Sequence, residues 1–251
     1  MSVIGIIQAR MGSSRLPGKI LAPIVGRPML EVIAQRLRAS RVSQWWLATS
    51  DQPSDDVTEA WGHSLGLRVY RGDQDDVLSR FTAILREERP EWMVRVTGDN
   101  PFVSGEAVDL LLDARDEAGK ELPLIEFAGD PKDRRTLPLG FGPQLARADA
   151  VLESEAEIPA QEAHHRAHVV SWLARDCDPK VCPVPGDWPA RPGWRFTVDT
   201  SRDLAMARSA FALFGPRALC ISYPEMVRAL DPHPEIIEMN AGVEQKALEA
   251  G

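Results

Sequence analysis

Three basic side chains stand close together in a loop of small residues near the start of the chain. The loop reads Gln8-Ala9-Arg10-Met11-Gly12-Ser13-Ser14-Arg15-Leu16-Pro17-Gly18-Lys19. Glycines and serines let backbone N–H groups approach phosphate oxygens, and the arginines and the lysine supply charge-assisted donors. At an effective dielectric of about 20, one cation about 4 Å from a negative charge gains about 4 kcal/mol. Two or three cations can therefore offset the desolvation of a triphosphate, which a single cation could not.

The charge around this loop differs from that of the whole chain. The 251 residues carry a formal charge of −8, which argues against general binding to nucleic acid or anionic membrane, because such binding depends on basic surface. Between Ala9 and Leu30, in contrast, there is no Asp or Glu, and there are four cations: Arg10, Arg15, Lys19 and Arg27. The window predicts a site for a small polyanion.

Two known phosphate-binding motifs do not fit the loop. A P-loop has four residues between its glycines and a Ser or Thr after its lysine, whereas five residues separate Gly12 from Gly18 and Ile20 follows Lys19. The dinucleotide-binding pattern G-x-G-x-x-G is also absent from the sequence. Composition alone leaves open a basic surface loop with ordinary turn glycines.

Two aspartates, Asp99 and Asp199, come directly after predicted buried strands that end near Thr97 and Val198. Ligands of open parallel sheets bind beyond the carboxyl ends of the strands, so both aspartates should face the crevice that the loop borders. Two neighbouring carboxylates repel unless a cation lies between them, and Mg²⁺ is commonly held by one or two carboxylates plus substrate phosphates. The alternative is structural: Asp99 closes an Asp-Asn-Pro turn, and Asp199 caps the helix that starts near Ser201.

Alternating strands and helices must position these groups. Short apolar, β-branched runs predict strands over 3–8, 45–48, 68–70, 92–96 and 124–127, and apolar residues at helical spacing predict helices over 30–37, 55–65, 75–88 and 104–112. This alternation predicts an α/β fold with a doubly wound, mostly parallel, Rossmann-like sheet covered by helices on both faces.

The second half of the chain is less regular. Residues 130–143 predict an irregular loop or insertion, and the proline-rich segment 179–192 predicts a linker with little regular structure. Helices are expected over 149–155, 161–175, 202–213 and 224–230, with a last core strand over 194–198. We expect one domain over 1–251, an insertion over about 130–192 and a mobile tail over 241–251.

Other features bound the class of protein. No apolar run approaches the roughly 20 residues that a bilayer requires, and no basic leader precedes the first strand, so we expect a cytoplasmic protein without membrane contact. The three cysteines, Cys177, Cys182 and Cys220, form no Cys-x-x-Cys pair and predict idle thiols. His164 and His168 lie four residues apart, but without a third ligand nearby a solvated or interface cluster is favoured over zinc.

An ordered set of motifs resembles one family. The run from Ile6 to Lys19 resembles the start of the spore-coat polysaccharide biosynthesis cytidylyltransferase-like proteins, a group similar to the acylneuraminate and deoxy-octulosonate cytidylyltransferases. Further matches, which extend the resemblance over nearly the whole chain, follow in order: Arg71-Gly72, Asp75-Asp76-Val77-Leu78, Arg95-Val96-Thr97-Gly98-Asp99-Asn100-Pro101, Arg166 and His168, Thr197-Val198-Asp199-Thr200, and Glu238-Met239-Asn240-Ala241.

The resemblance implies a nucleotidyltransferase of the nucleotide-diphospho-sugar transferase type. It implies transfer of CMP from CTP to a small sugar-acid or related acidic acceptor, with release of pyrophosphate, in cell-surface polysaccharide or related biosynthesis. It also implies Mg²⁺ bound by Asp99 and Asp199, catalytic roles for these two and for Arg10, Arg15 and Lys19, and a homodimer.

The resemblance also assigns binding residues. It implies that the nucleotide is bound by Gln8, Ala9, Arg10, Met11, Gly12, Ser13, Arg15, Lys19, Thr49, Ser50, Gly72, Asp76, Thr97 and Gly98. It implies that the acceptor is bound by Arg166, His168, Pro138 and Gly140. Where the family pattern usually reads Arg-Glu-His-Val-Thr, this chain has Arg166-Ala167-His168-Val169-Val170. The loss of a carboxylate and a hydroxyl predicts an acceptor less hydroxylated than a nonulosonic acid.

Four alternatives stay open. The nucleotide could be another NTP, and the acceptor could be a phosphonate or a phosphosugar. The protein could also be a nucleotide-sugar-binding protein of the glycosyltransferase type, although three cations in one loop suit a triphosphate better than a diphosphate sugar. A catalytically silent nucleotide-binding protein is disfavoured because both aspartates and the cations are present together.

Overall fold

Strands and helices alternate along most of the chain. The computed structural model describes residues 2–118, 122–127, 136–177 and 179–246. The strands within these ranges are β1 (Val3–Gln8), β2 (Pro23–Ile24), β3 (Arg27–Pro28), β4 (Trp45–Ser50), β5 (Arg68–Gly72), β6 (Trp92–Thr97), β7 (Leu124–Glu126), β8 (Gln144–Arg147) and β9 (Lys180–Val181). The α-helices are α1 (Met29–Leu37), α2 (Asp56–Ser64), α3 (Val77–Glu88), α4 (Gly105–Ala118), α5 (Ala148–Glu157), α6 (His164–His168), α7 (Ser171–Asp176), α8 (Ser201–Phe214), α9 (Tyr223–Leu230) and α10 (Pro234–Glu238).

Seven strands form one sheet in the order β5-β4-β1-β6-β8-β7-β9. Strands β5, β4, β1 and β6 are parallel, β8 runs antiparallel to both β6 and β7, and β9 is parallel to β7. The predicted α/β fold with a doubly wound, mostly parallel sheet is therefore confirmed. The register pairs Gln8 with both Ala48 and Thr97, so β1 and β6 end at one level and β4 extends beyond them to Ser50.

Both faces of the central strand β1 are buried, as its continuous apolar run predicts. Ile7 packs with the face covered by α1, α4 and α8, and Ile4 and Ile6 pack with the opposite face, covered by α3, α5 and α7. All three isoleucines are almost completely shielded from solvent. The sheet thus offers its polar groups to solvent at the strand ends, where the loop of cations begins.

The expected strand over 194–198 is wrong. This segment is extended, but it forms a single isolated bridge, between Leu139 and Arg195. In this bridge the N–H of Leu139 donates to the Trp194 carbonyl and the N–H of Phe196 donates to the Leu139 carbonyl, and beyond it the N–H of Val198 donates to the Asp99 carbonyl. Because Phe196 and Val198 are both buried, the segment has the apolar pattern of a core strand without a ladder partner.

Two further expectations for the second half are corrected. The helix expected over 161–175 is broken into a 3-10 turn (Ala160–Glu162), α6 and α7, because Val169 adopts a φ of 60°, which an α-helix cannot contain. The expected linker over 179–192 contains β9, and β8 was not predicted at all. Residues 130–135 and 178 of the expected insertion and residues 247–251 of the expected tail lie outside the described residues.

A search of the described ranges finds no helix with both the length and the apolar character needed to cross a bilayer.

Candidate functional site

The loop after β1 is held in shape by one buried aspartate, Asp55, which the sequence analysis did not single out. The backbone N–H of Met11 donates to Asp55 Oδ1 over 2.8 Å, and the hydroxyls of Ser50 and Thr58 donate to the same carboxylate. Gly18, at a φ of 72°, returns the chain so that its N–H donates to the Met11 carbonyl over 3.0 Å. Asp55 directly precedes α2. An aspartate at that position predicts a helix cap, so the sequence does not indicate that it holds the loop after β1.

This loop borders a cleft of about 280 Å³ at the carboxyl ends of β1 and β6. Twelve predicted site residues line it: Gln8, Ala9, Arg10, Gly12, Ser13, Arg15, Lys19, Thr97, Gly98, Asp99, His168 and Asp199. Seven lining residues were not predicted: Ser14, Ile20, Val77, Arg80, Arg95, Ala167 and Lys246. The expectation that the loop and the two distant aspartates meet at one crevice agrees with this geometry.

Lys19 lies between the two aspartates. Its ammonium donates to Asp99 Oδ2 over 3.1 Å, to Asp199 Oδ1 over 2.9 Å and to the Val198 carbonyl over 2.8 Å. The two carboxylate oxygens are therefore at most about 6 Å apart. One cation bridges two carboxylates that would otherwise repel each other.

Asp199 is further held by two arginines. Arg195 donates to Asp199 Oδ2 over 2.7 Å, and Arg15 contacts the same oxygen at 2.9 Å. Arg195 also donates to the buried Asp203 over 2.9 Å. Helix α8 is capped by Thr200, which forms a capping box with Asp203, so Asp199 is not the helix cap. Its carboxylate is free of a capping role and is directed at the cations of the cleft.

The Asp99 carboxyl is ionised at neutral pH. Burial acts to raise its pKa, but the Lys19 ammonium and the Thr97 hydroxyl together outweigh burial and hold the pKa of Asp99 below its ordinary value. A partly buried carboxylate that keeps its charge is a suitable ligand for a cation.

The carboxylate pair also fits Mg²⁺, the metal that the resemblance implies. Mg²⁺ prefers oxygen ligands and is often held by one or two carboxylates, with substrate phosphates and waters completing its shell. Asp99 and Asp199 already share one cation, the Lys19 ammonium. Among the residues that the structure describes, no three His, Cys, Asp or Glu side chains gather as a closed metal site. The protein thus offers an open pair of ligands and no pre-formed cage.

Some predicted residues lie away from the lining of this cleft. Arg166 donates to Asp76 Oδ2 from Nε over 2.9 Å and to the Glu155 carbonyl over 3.0 Å, while Asp76 caps α3 by accepting from the N–H of Ser79. Three others also lie outside the lining: Met11 is in the loop after β1, and Thr49 and Ser50 end β4. Gly72 is the last residue of β5 and lies beside Arg80. A Cβ added to Gly72 would lie 3.1 Å from the Cγ of Arg80.

Pro138 and Gly140 line a second cleft, of about 170 Å³, together with Glu126 and Gln144. Gly140 has a φ of 85°, and a Cβ there would lie 2.6 Å from the backbone nitrogen of Thr197. This glycine therefore brings the second cleft against the segment that leads to Asp199.

Comparisons with known proteins agree with this arrangement. Residues 4–177 match the family model described as cytidylyltransferase. The chain is 32% identical over 242 residues to the spore coat polysaccharide biosynthesis protein SpsF of Bacillus subtilis (strain 168), which covers 93% of this chain and 95% of that protein.

Two solved structures are similar over most of the chain. A cytidylyltransferase from Leptospira borgpetersenii serovar Hardjo-bovis (strain JB197) superposes with a TM-score of 0.85 at 25% identity, covering 98% of this chain and 99% of that one. A CMP:2-keto-3-deoxy-manno-octonic acid synthetase complexed with CTP superposes with a TM-score of 0.61 at 20% identity, covering 84% and 99%. The second likeness supports the fold alone.

Proposed function

The chain belongs to the cytidylyltransferase family, and from that premise we propose that its first cleft binds CTP and transfers CMP to a small acidic acceptor, with release of pyrophosphate. Family membership confirms the resemblance that the motifs predicted. The observation that carries the proposal is the charge of the cleft. Two carboxylates, Asp99 and Asp199, face six cations in a chain whose formal charge is −8: Arg10, Arg15, Lys19, Arg80, Arg95 and Lys246.

The cations of the loop after β1 are proposed to bind the triphosphate. Arg15 and Lys19 contact the two aspartates in the structure, and Arg10 lies 3.6 Å from Asp75. A triphosphate offers these side chains more negative charge than a single carboxylate does, so we expect Arg15 and Lys19 to turn toward it when it binds. Short loop residues leave backbone N–H groups accessible to the same phosphates.

Asp99 and Asp199 would hold Mg²⁺ once the nucleotide takes over Lys19 and Arg15. The metal would supply charge neutralisation on the phosphate oxygens. The remaining work belongs to the chain itself, which aligns the α-phosphorus for in-line attack by an acceptor oxygen and stabilises the leaving pyrophosphate by fixed cations. A direct in-line displacement needs no covalent enzyme intermediate. An attacking carboxylate, phosphate or phosphonate oxygen is already ionised at neutral pH and needs no general base, whereas attack by a hydroxyl of a sugar acid would release its proton to a base or to solvent.

Cytosine is proposed to lie toward the ends of β4 and β5. Thr49, Ser50, Gly72 and Asp76 stand there, and the hydrogen bonds from Ser50 and Met11 to one carboxylate tie this side of the site to the phosphate loop. Asp76, paired with Arg166, would orient the start of α3. Recognition of cytosine would then come from backbone groups and short side chains.

The acceptor is proposed to approach from the side of β8, where His168 lines the first cleft and Pro138 and Gly140 line the second. Arg166 would act there indirectly, because Asp76 and the Glu155 carbonyl already hold it. The name of the Bacillus relative supports a place in polysaccharide biosynthesis. A homodimer, on the family resemblance, completes the proposal.

The test is pyrophosphate release from each of the four NTPs with Mg²⁺, across a panel of sugar acids, phosphosugars and phosphonates. We expect release with CTP and one class of anionic acceptor, and none when the acceptor is omitted. Faster pyrophosphate release with another NTP than with CTP would show that the cleft prefers a base other than cytosine. Consumption of a nucleotide sugar without use of any NTP would instead identify a glycosyltransferase and contradict the proposal.

A further inference from the structure

Arg95, on β6, is a cation without a direct anionic partner. Its Nη1 donates to Gln144 Oε1 over 2.6 Å and its Nη2 to Gln8 Oε1 over 3.0 Å. Its Nε is shielded from solvent and has no hydrogen-bond partner within the described ranges. Both partners of the guanidinium are neutral amides, and within those ranges no carboxylate lies in ion-pair contact with it. The sequence analysis assigned Arg95 no role.

The hydrogen bonds of Arg95 connect the two clefts. Gln8 and Arg95 line the first cleft, and Gln144 and Glu126 line the second. Gln144 donates to Glu126 over 2.8 Å, so a continuous row of hydrogen-bonded side chains crosses β1, β6, β8 and β7. This row leads away from β4 and β5 and toward the opposite edge of the sheet. Arg95 is the cation of this row, and it lines the first cleft one hydrogen bond away from Gln144 of the second.

The guanidinium of Arg95 carries a positive charge that its two amide partners do not neutralise. Burial lowers the pKa of Arg95 to about 10, although the nearby charges of Asp99 and Glu126 act to raise it, so the guanidinium is charged at neutral pH. A desolvated charge is costly unless it is paired, and amide oxygens offset that cost less well than a carboxylate or phosphate would.

The buried Arg36 shows what a purely structural role looks like in this protein. Its three nitrogens donate to the backbone carbonyls of Val103, Ala218 and Ile221, among others, and it does not line the first cleft. Arg36 therefore joins segments of the core with every nitrogen satisfied. Arg95 differs from it in both respects, since it lines a cleft and keeps one nitrogen unsatisfied.

We propose that Arg95 is a specificity-determining residue that binds the carboxylate or phosphate of the acceptor in the first cleft, on its side toward Gln144, with Gln8 and Gln144 fixing the plane of its guanidinium. This inference rests on the proposed transfer reaction and assigns its acceptor side. A planar guanidinium held at two corners presents its remaining donors in a fixed direction, which favours a two-oxygen anion over a neutral group.

The test measures binding of a simple anion to the nucleotide-loaded protein. The protein is first saturated with Mg²⁺ and α,β-methylene-CTP, which fills the nucleotide site without turnover, and its affinity for this analogue is recorded. Pyruvate, its neutral amide and inorganic phosphate are then titrated separately and followed by ligand-observed NMR. The variants are Arg95→Met and Arg95→Lys, with Arg41→Met as the matched control because Arg41 is paired with Asp113 and lines neither cleft.

We expect pyruvate or phosphate, but not the amide, to bind the wild-type protein. Arg95→Met should weaken that binding about tenfold or more while leaving affinity for the CTP analogue within about twofold. Arg95→Lys should restore part of it, and Arg41→Met should change nothing. Unchanged anion binding in Arg95→Met, no anion binding by the wild type, or loss of analogue affinity instead would overturn the inference. Failure of the analogue itself to bind would count against the proposed function separately.

Discussion

In the structure the cations proposed to bind the phosphates contact the two aspartates proposed to bind the metal, and the proposed reaction would have to separate them. Lys19 donates to both Asp99 and Asp199, and Arg15 contacts Asp199. Without ligand, the cations proposed for the phosphates neutralise the carboxylates proposed for the metal. This pairing leaves neither the buried Asp199 nor the partly buried Asp99 without a cation. A metal ion that binds the same oxygens, as proposed, would have to compete with Lys19.

Replacing Lys19 with methionine should therefore have opposite effects on two ligands. Mn²⁺ alone, measured by electron paramagnetic resonance in the absence of nucleotide, should bind several-fold more tightly because the competing ammonium is gone. CTP with Mg²⁺, measured by calorimetry, should bind about tenfold more weakly because one phosphate contact is lost.

The matched control for that experiment is Arg27→Met. Arg27 belongs to the same cationic window but pairs with Glu31 and does not line the cleft, so neither affinity should change. Weaker Mn²⁺ binding in Lys19→Met, or unchanged CTP binding, would show that Lys19 does not exchange between the carboxylates and the phosphates.

Strands and helices bring the site together by close backbone approach. The N–H of Gly98 donates to the Gln8 carbonyl over 2.7 Å, which joins the end of β6 to the end of β1. A Cβ on Gly98 would lie 2.8 Å from Ala9 Cβ, 2.9 Å from the Gln8 carbonyl oxygen and 2.9 Å from Ile20 Cδ1. The absence of a side chain at this position sets the distance between the phosphate loop and Asp99.

Gly98→Ala should force these two segments apart. We expect a loss of about 1–3 kcal/mol in the free energy of unfolding, the usual cost of overpacking, together with a raised KM for CTP. Chemical denaturation and steady-state kinetics would measure the two effects. Gly186→Ala is the control, since a Cβ at Gly186 meets nothing within 4 Å. Equal stability of the two variants would contradict the account of Gly98.

The parts of the site that sequence predicted are those with local signals. The loop after β1 combines small residues and cations in twelve consecutive positions, and Asp99 follows a strand that its apolar run reveals. Asp55 and Arg95 have no such signal, because their roles come from partners 44 to 87 positions away along the chain. Tertiary pairing of that kind cannot be read from spacing.

The same limit explains the errors in the fold. The segment 194–198 has the apolar pattern of a core strand, but it forms a single bridge. Such a pattern predicts that a segment is buried and does not predict that it pairs with a neighbouring strand. The helix expected over 161–175 keeps its helical spacing on both sides of Val169, where the backbone turns. Apolar runs predicted β1, β4 and β6 well because most of their residues are buried. The edge strand β5 was also predicted, although its residues are exposed or only partly buried.

Across the whole chain, the C-terminal segment supports the site through one buried network. Asp203, which is fully buried, accepts from Arg195 and Asn240 over 2.9 Å each, and Arg195 in turn donates to Asp199 and to Gln245 over 2.7 Å each. The segment after α10 is thus linked to the proposed metal ligand. Burial acts to raise the pKa of Asp203, but the Thr200 hydroxyl, the Asn240 amide and Arg195 outweigh it and lower the pKa.

This lowered pKa predicts how stability depends on pH. A carboxyl whose folded pKa is depressed contributes stability above its unfolded pKa of about 3.9, and that contribution is lost as the pH falls through the folded pKa. Asp203→Asn should cost about 3 kcal/mol at pH 7, because it leaves Arg195 without one buried partner. The variant should also lose less further stability than the wild type on acidification.

Urea denaturation at pH 7 and at several values below pH 4 would measure both effects. Asp116→Asn, at an exposed aspartate outside the cleft, should match the wild type at each pH. Parallel loss of stability on acidification in the wild type and in Asp203→Asn would contradict the assignment of the acid-sensitive group to Asp203.

The central claim is that one cleft binds a metal-bound CTP between the loop cations and the two aspartates. Calorimetric titration of CTP, once with Mg²⁺ and once with EDTA, into the wild type, Asp199→Asn and Asp116→Asn tests it most directly. We predict that Mg²⁺ tightens CTP binding about tenfold or more in the wild type and in Asp116→Asn, and that Asp199→Asn loses most of this gain. Equal CTP affinity with Mg²⁺ and with EDTA in the wild type, or a full Mg²⁺ gain in Asp199→Asn, would contradict the claim.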